Sequence, residues 1–143
     1  MPKQLTNTVH SRPPTRSRLP AVRVSAYTIV GLHGDMDIAT GPAMRMHLHE
    51  ALRQSKDVLI LDLSGVSFCD ACGLAVLVGI RRETRERGIT LRLAAPTMRM
   101  THLLRITCLD QSFTIHATLS SAIASTHRSG CLKQANYVCL YVL

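Results

Sequence analysis

The segment Cys69-Asp70-Ala71-Cys72 holds the closest grouping of reactive side chains in the sequence. Its two thiols have the C-x-x-C spacing of redox motifs, and the dipole of a helix favours the thiolate of a cysteine in its first turn. Asp70 opposes that effect, because a neighbouring carboxylate disfavours a second negative charge. Two interpretations stay open. The thiols form a redox-responsive pair, in which a sulfinate on Cys72 adds a negative charge, or they fill small buried sites.

The rest of the sequence offers little for metal or hydrolytic chemistry. No second ligand pair has the spacing that would complete a zinc site with the two cysteines. His47 and His49 are two residues apart on a predicted helix and therefore point in different directions. A G-x-S-x-G elbow and a phosphate-binding glycine loop are both missing from the sequence. We therefore expect a protein that is not an enzyme and has no metal site.

The elements that position residues 69–73 follow from the spacing of the apolar residues. The β-branched run at 27–32 and the nearly all-apolar run at 58–63 predict strands, the second of them buried on both faces. A helix is predicted from about 71 to 87, because Gly88 is a typical residue after a helix end. The other predicted elements are helices at 40–54, from Pro96 onward and at 119–124, and strands at 89–93 and 113–116, with a candidate edge strand at 22–25.

Strand and helix patterns alternate four times along the chain. This order predicts an α/β fold with a single, mostly parallel sheet of four to five strands and about four helices. The length of 143 residues allows one domain with an ordinary hydrophobic core. We find no internal repeat and no second domain in the pattern.

Composition excludes several classes of protein. The chain is 46% apolar and 18% charged, which excludes a wholly disordered protein. The longest apolar run, 73–80, is too short to span a bilayer, and an aromatic content of 3% disfavours a base-stacking surface for nucleic acid. All nine acidic residues lie within 27–126, so the net charge of +8 is concentrated at the chain ends. Those ends are a solvated basic tail or make a weak contact with an anionic surface.

The two ends of the chain differ in character from the part between them. Residues 1–19 are rich in Ser, Thr, Pro and Arg and lack the apolar region of a secretion signal, so we expect a disordered basic extension of a cytoplasmic protein. The five cysteines are then free thiols rather than disulfides. Residues 127–143 are an extension of unknown structure. Its β-prone end at 137–143 either packs as an extra strand or promotes association.

Three runs of sequence resemble the STAS domain of the bacterial anti-sigma-factor antagonists. They are GDMD at 34–37, LDLSGVSFCDACGL at 61–74 and LLRITCLD at 103–110, and the resemblance covers residues 20–126. It implies a small non-catalytic domain that binds no cofactor. Such a domain docks on an anti-sigma factor of the ATP-binding serine kinase type and thereby frees a sigma factor. Direct contact with nucleic acid is not implied, and the oligomeric state stays open.

The chain departs from this family at the position of the regulatory serine. Typical members carry a serine just after the aspartate, and its phosphorylation by the kinase switches binding off. Here Ala71 stands at that position, and Cys72 replaces a common second serine. The resemblance therefore implies an antagonist fixed in its binding-competent form, or a paralogue that has lost or changed its partner. Ser64 and Ser67 offer other hydroxyls in the preceding segment, but neither stands at the start of the helix.

The predicted docking surface centres on the start of the second helix and the segment before it. Asp70 can cap this helix by accepting a hydrogen bond from the backbone N–H of Gly73. A phosphate on the next residue would add about two negative charges to a surface that must meet a partner. Ser67 is expected in a turn, and Asp35 and Asp37 either form the polar rim of the surface or serve only a turn. The predicted docking residues are Asp35, Asp37, Ser67, Asp70, Ala71, Cys72 and Gly73.

Two other functions are compatible with the sequence, and one position is expected to be strained. A STAS subunit of another assembly, such as a lipid-transport or signalling complex, would share the fold but not the partner. A thiol-based redox-responsive protein would act through Cys69 and Cys72. Cys108 stands where the family pattern usually has glycine, so a positive φ at this residue would produce a strained corner.

Overall fold

Strands and helices alternate along the computed structural model, which describes residues 8–11, 25–126 and 133–142. Expectations for the other residues, including most of 1–19 and of the candidate strand at 22–25, lie outside the described part. The helices are α1 (Gly41–Gln54), α2 (Ala71–Glu86), α3 (Met98–Ile106) and α4 (Leu119–Ala124), with a short 3₁₀ helix at Leu109–Gln111. The strands are β1 (Thr8–Ser11), β2 (Ser25–Met36), β3 (Val58–Cys69), β4 (Thr90–Ala94), β5 (Thr114–His116) and β6 (Lys133–Val142).

The described strands form one mostly parallel sheet in the order β1-β6-β2-β3-β4-β5. Each neighbouring pair is parallel except β1 and β6, which are antiparallel. The α/β class, the mostly parallel sheet and the four α-helices predicted from the sequence are confirmed. The described sheet has six strands rather than four to five, because the two ends of the chain each add one.

The sheet buries a different apolar cluster on each face. Side chains alternate in direction along a strand, so Val30 of β2 faces the larger cluster formed with α1, α2 and α3. Ile29 faces the opposite side, where it packs in a smaller cluster with Ala122 of α4. β3 contributes Leu61 to the larger cluster and Ile60 to the smaller one. The prediction that this strand is buried on both faces is therefore confirmed.

β3 continues well beyond its apolar run at 58–63. Its second half pairs with the end of β2, where Asp35 lies opposite Phe68, and the register shifts twice along this stretch. Ser67 therefore lies in a strand, and the prediction that it belongs to a turn is wrong. Pairing of the backbone across the sheet overrides the weak strand propensity of the serines and glycine in this segment.

Both ends of the chain contribute to the sheet beside β2. β6 includes most of the run at 137–143 and pairs in parallel with β2, from Ser25 opposite Lys133 to Gly34 opposite Val142. The run at 137–143 was expected either to pack as an extra strand or to promote association, and in the structure it is an extra strand. Thr8–Ser11 pairs with the other edge of β6, so the expectation of disorder does not hold for this part of 1–19. Hydrogen bonding on both sides of β6 covers edges that would otherwise promote association.

The corner after α3 holds a left-handed residue that is not glycine. Cys108 has φ of 58° and ψ of 15°, and its N–H donates to the carbonyl oxygen of Arg105 at 3.0 Å. The Cβ atom makes this conformation unfavourable for every L residue. Because the side chain is exposed, it has little packing to offset that strain. The strained corner expected from the sequence is thus present.

Replacing Cys108 by glycine should stabilise the fold. The left-handed conformation costs a residue with a Cβ about 1–2 kcal/mol, and the larger chain entropy of unfolded glycine offsets about 0.5–1 kcal/mol of this gain. We expect the free energy of unfolding of Cys108→Gly, measured by urea denaturation, to rise by about 0.5–1 kcal/mol. Cys108→Ala is the control, since it removes the thiol but keeps the Cβ. Equal stability of the two variants would contradict the strain.

Candidate functional site

Asp70 holds the first turn of α2 and ties it to the end of β2. Its Oδ1 atom accepts hydrogen bonds from the N–H of Cys72 at 2.8 Å and from the N–H of Gly73 at 3.1 Å. Its own N–H donates to the carbonyl oxygen of Met36, the last residue of β2, at 3.1 Å. The predicted N-cap is confirmed, and Ala71 is the first residue of the helix.

Gly73 lies where α2 approaches the end of β2 most closely. A Cβ atom on this residue would collide with the carbonyl oxygen of Met36 and would lie 2.8 Å from the Cβ of that residue. It would also lie 2.9 Å from the Sγ atom of Cys69. Backbone atoms cannot yield as a flexible side chain can, so only glycine fits this contact. Gly73 therefore positions the start of the helix and is buried beneath the surface it supports.

Small exposed side chains cover the outer face of the first two turns of α2. Ala71 and Ala75 are exposed, and Cys72 is half-buried between them. The positive end of the helix dipole lies at this turn. A negatively charged group added at Ala71 would be accommodated by the helix itself, but it would project towards anything that approached this surface.

The two thiols of the C-x-x-C motif lie on opposite sides of the start of α2. Cys69 lines a cavity against α3, whereas Cys72 lines a groove against α1. Burial, with a smaller contribution from the charge of Asp70, raises the pKa of the Cys69 thiol to about 11. Cys69 is therefore protonated at neutral pH and is a poor nucleophile, which weakens the redox interpretation of the pair.

Asp35 and Asp37 flank Met36, but their carboxylates have different surroundings. The Oδ1 atom of Asp37 accepts hydrogen bonds from the N–H of Ala39 at 2.9 Å and from the N–H of Thr40 at 3.0 Å. Asp37 thus stabilises the turn that precedes α1. The side chain of Asp35 is exposed, and its carbonyl oxygen accepts a hydrogen bond from the Thr40 hydroxyl at 2.8 Å. Of the two residues, only Asp35 presents an exposed carboxylate at the rim.

The predicted site residues meet where β2 and β3 end, on two sides of the capped helix start. Met36 pairs with Cys69 at this edge, so the turn around Asp37 and the cap at Asp70 lie beside each other. Ser67 is exposed on β3 and lines the cavity on the α3 side. The crevice at the carboxyl ends of parallel strands is where α/β proteins commonly bind their ligands and partners.

Sequence reasoning missed the large apolar side chains that flank this site. Ile38, in the turn before α1, is 74% exposed, and Phe68, near the end of β3, is 48% exposed. Ile38 lines the groove that also contains Pro42 and Cys72, and Phe68 lines the cavity on the α3 side. A signal for Ile38 was available, because an apolar residue directly after a turn-forming aspartate has no strand or helix pattern to bury it. Phe68 lies beyond the apolar run at 58–63 that predicts its strand, so no periodic pattern indicated which way its side chain faces.

No three His, Cys, Asp or Glu side chains in the described part lie close enough together to hold a metal ion. None of the helices described there is both long enough and apolar enough to cross a membrane.

Comparison with known proteins identifies the family. A model of the STAS domain matches residues 18–122, and the chain belongs to the STAS domain family. The anti-sigma-B factor antagonist of Bacillus subtilis (strain 168) is 32% identical over 88 residues, which are 62% of this chain and 80% of that protein. The anti-sigma-F factor antagonist RsfB of Mycobacterium tuberculosis is 26% identical over 98 residues, or 66% of this chain and 77% of that protein.

Solved structures share the fold at lower sequence identity. An anti-sigma factor antagonist from Mycobacterium paratuberculosis superposes with a TM-score of 0.60 at 23% identity, covering 87% of this chain and 96% of the other. A sulfate transporter family protein from Wolinella succinogenes superposes with a TM-score of 0.62 at 18% identity, covering 79% and 93%. Similarity at these identities establishes the fold alone.

Two glycines of α2 give a matched test of the contact that positions the helix. Gly73→Ala should lower the free energy of unfolding by about 1–3 kcal/mol, because its methyl group overlaps the carbonyl oxygen and the Cβ of Met36. Gly79→Ala in the same helix should raise it by up to about 1 kcal/mol, since a Cβ there meets nothing within 4 Å and alanine favours the helix. Urea denaturation measures both. A Gly73→Ala variant as stable as the parent would contradict the close contact.

Proposed function

We propose that this chain is an anti-sigma-factor antagonist, acting as a non-catalytic docking module. Two relatives that carry this function in their names support the proposal. The observation that carries it is the capped start of α2, where Ala71 is exposed at the position that the resemblance gives to the regulatory serine. The proposed partner is an anti-sigma factor of the ATP-binding serine kinase type, and its capture by this chain frees a sigma factor.

The proposed docking surface is the outer face of the first turns of α2 and the turn before α1. Ala71 and Ala75 let a partner approach the helix backbone closely, because neither side chain extends beyond a methyl group. Ile38 and Cys72 line the adjoining groove of about 230 Å³. Complete burial of an exposed Ile38 by a partner would contribute about 1.5–3 kcal/mol to binding. Asp35 adds an exposed carboxylate at the rim of this surface.

Ala71 accounts for the proposed regulatory state. A kinase partner can bind this surface but finds no hydroxyl at the first position of α2, so the usual charge cannot be added there. Ser67 keeps an exposed hydroxyl, but it belongs to β3 and lies on the α3 side of the helix start. We therefore propose an antagonist that stays competent to bind whatever the activity of its kinase partner.

The two alternatives have weaker support. A STAS subunit of a transport or signalling complex rests on similarity of fold alone, as with the sulfate transporter family protein. A thiol switch is disfavoured by the raised pKa of Cys69 and by the separation of the two thiols across the helix start. Neither alternative explains the small, exposed residues of the first turns of α2.

Affinity capture tests the partner directly. The immobilised chain is exposed to a lysate of its source cell, and the captured proteins are identified by mass spectrometry. We expect an ATP-binding protein with a serine-kinase domain that also binds a sigma factor. Capture of transporter or redox proteins in its place, with no protein of this kind, would contradict the proposed function.

A charge at position 71 should abolish partner binding without unfolding the domain. We expect Ala71→Glu to weaken binding of the captured anti-sigma factor at least about tenfold, equivalent to 1.4 kcal/mol, when measured by calorimetry. The carboxylate is tolerated by the positive end of the helix, so the circular dichroism spectrum and thermal midpoint should stay close to those of the parent. Ala124→Glu is the matched control, because Ala124 is exposed in α4 on the other face of the sheet. Equal affinities of the two variants would overturn the proposed surface.

A hydroxyl at position 71 should restore control by the kinase. In the presence of ATP and the captured anti-sigma factor, we expect Ala71→Ser to be phosphorylated at the new serine, while the parent chain is not. Peptide mass spectrometry identifies the modified residue, and a loss of binding should accompany its modification. Phosphorylation of the parent chain at Ser64 or Ser67 with loss of binding would instead show that the chain is not fixed in one state.

A further inference from the structure

We propose that a groove between β3 and α3 is a second docking site, which accepts an acidic segment of the partner carrying a bulky apolar side chain. The α3 groove, as we call it, is lined by Val66, Phe68, Met100 and Leu103 on its apolar side and by Arg99 and His102 on its polar side. The inference rests on the proposed function for the partner's identity, since the anti-sigma factor would contact both sites.

The size of the α3 groove favours part of a macromolecule over a free small molecule. Its volume is about 210 Å³, below the roughly 300–1,000 Å³ of sites that enclose small-molecule ligands. Its lining is mostly apolar, and Val66 and Met100 at its base are buried. Phe68 is half exposed at the same groove, so an entering apolar side chain would remove its ring from water. A groove of this kind suits a single anchoring side chain from a protein segment.

The positive charges on α3 favour a partner segment with negative charge. Arg99, His102 and Arg105 are spaced by three residues, so they follow one face of the helix, and all three are exposed. The helix Met98–Ile106 contains no acidic residue. Within the described part of the chain, neither Arg99 nor Arg105 forms an ion pair. The two guanidinium groups can therefore receive carboxylates from outside, while His102 adds an N–H donor.

Exposed apolar side chains extend this cationic face at both ends of α3. Met98 is 90% exposed and Ile106 is 63% exposed. Met98 also lines a neighbouring shallow groove, together with His102 and Arg105. The alternation of cationic and apolar groups along one exposed helix face complements a segment in which carboxylates alternate with large apolar side chains.

The α3 groove adjoins the proposed docking surface at the start of α2. Cys69 lines the groove and is followed directly by Asp70, the N-cap of α2. A partner lying across Ala71 can therefore reach Ile38 on the α1 side and the α3 groove on the other side without leaving the surface. Contact on both sides of the helix start would lengthen the interface beyond what two exposed alanines supply.

A designed peptide tests the preference of the α3 groove. The probe is a fluorescein-labelled peptide of alternating glutamate and leucine, compared with the matched lysine and leucine peptide by fluorescence anisotropy. We expect the glutamate peptide to bind the parent chain and the lysine peptide to bind at least about tenfold more weakly. Binding should weaken as NaCl rises from about 0.05 to 0.5 M, because salt screens exposed charge pairs.

Charge reversal on α3 is the test, and the same reversal on α2 is its matched control. Arg99→Glu should weaken binding of the glutamate peptide at least about tenfold, and Phe68→Ala should weaken it severalfold. Arg85→Glu changes the same charge at an exposed arginine of α2 outside the groove and should alter binding less than twofold. These side chains are exposed, so circular dichroism should show the parent fold in each variant. Equal effects of Arg85→Glu and Arg99→Glu would mean unspecific charge attraction and overturn the proposal.

Two further results would also overturn the inference. One is failure of the glutamate peptide to bind the parent chain. The other is tighter binding to anionic phosphatidylglycerol vesicles than to the peptide, with the same dependence on Arg99, which would assign the helix face to a membrane surface.

Binding measurements with the captured anti-sigma factor distinguish failure of this inference from failure of the proposed function. If only the inference fails, Ala71→Glu weakens binding of the captured anti-sigma factor while Arg99→Glu leaves that binding unchanged. If only the proposed function fails, the glutamate peptide still binds in an Arg99-dependent manner, although no anti-sigma factor is captured. If both proposals hold, Ala71→Glu and Arg99→Glu each weaken binding of the anti-sigma factor.

Discussion

The contact between Gly73 and Met36 is the constraint on which the candidate site depends. Gly73 lets α2 approach the end of β2 to a distance that no side chain allows, and the N–H of Asp70 hydrogen bonds to the same Met36 carbonyl group. One backbone carbonyl therefore anchors the strand end, the cap and the first turn together. This anchoring positions Ala71 at the surface. Its neighbours are held on both sides, since the N–H of Asp70 donates to the Met36 carbonyl and the N–H of Cys72 donates to the Asp70 carboxylate.

The surface around that anchor divides into three regions with different chemistry. The first turns of α2 present only small side chains, the groove on the α1 side offers Ile38, and the groove on the α3 side offers Phe68 beside cationic groups. The two thiols follow this division, since Cys69 belongs to one side and Cys72 to the other. The separation of the two thiols and the raised pKa of Cys69 both weaken the interpretation of the C-x-x-C spacing as a redox pair.

The two ends of the chain complete the sheet by adding β1 and β6 beside β2. β6 brings a β-prone, uncharged run alongside β2, and β1 covers its other edge, so an aggregation-prone segment becomes part of the layer. The strained Cys108 shows the opposite situation, in which the backbone keeps a left-handed corner although its residue disfavours it. The surrounding packing of α3 and the following 3₁₀ helix outweighs that local cost.

The sequence by itself determined what depends on neighbouring residues. The cap at Asp70, the end of α2 near Gly88 and the bounds of α4 were all predicted, because N-caps, glycine stops and helical periodicity are local. Tertiary structure alone decided what depends on distant partners. The extension of β3 to Cys69 needs its register with β2, and the raised pKa of Cys69 needs the burial of its thiol. Hydrogen-bond register and burial are set by segments far apart in the chain, so no local pattern could specify them.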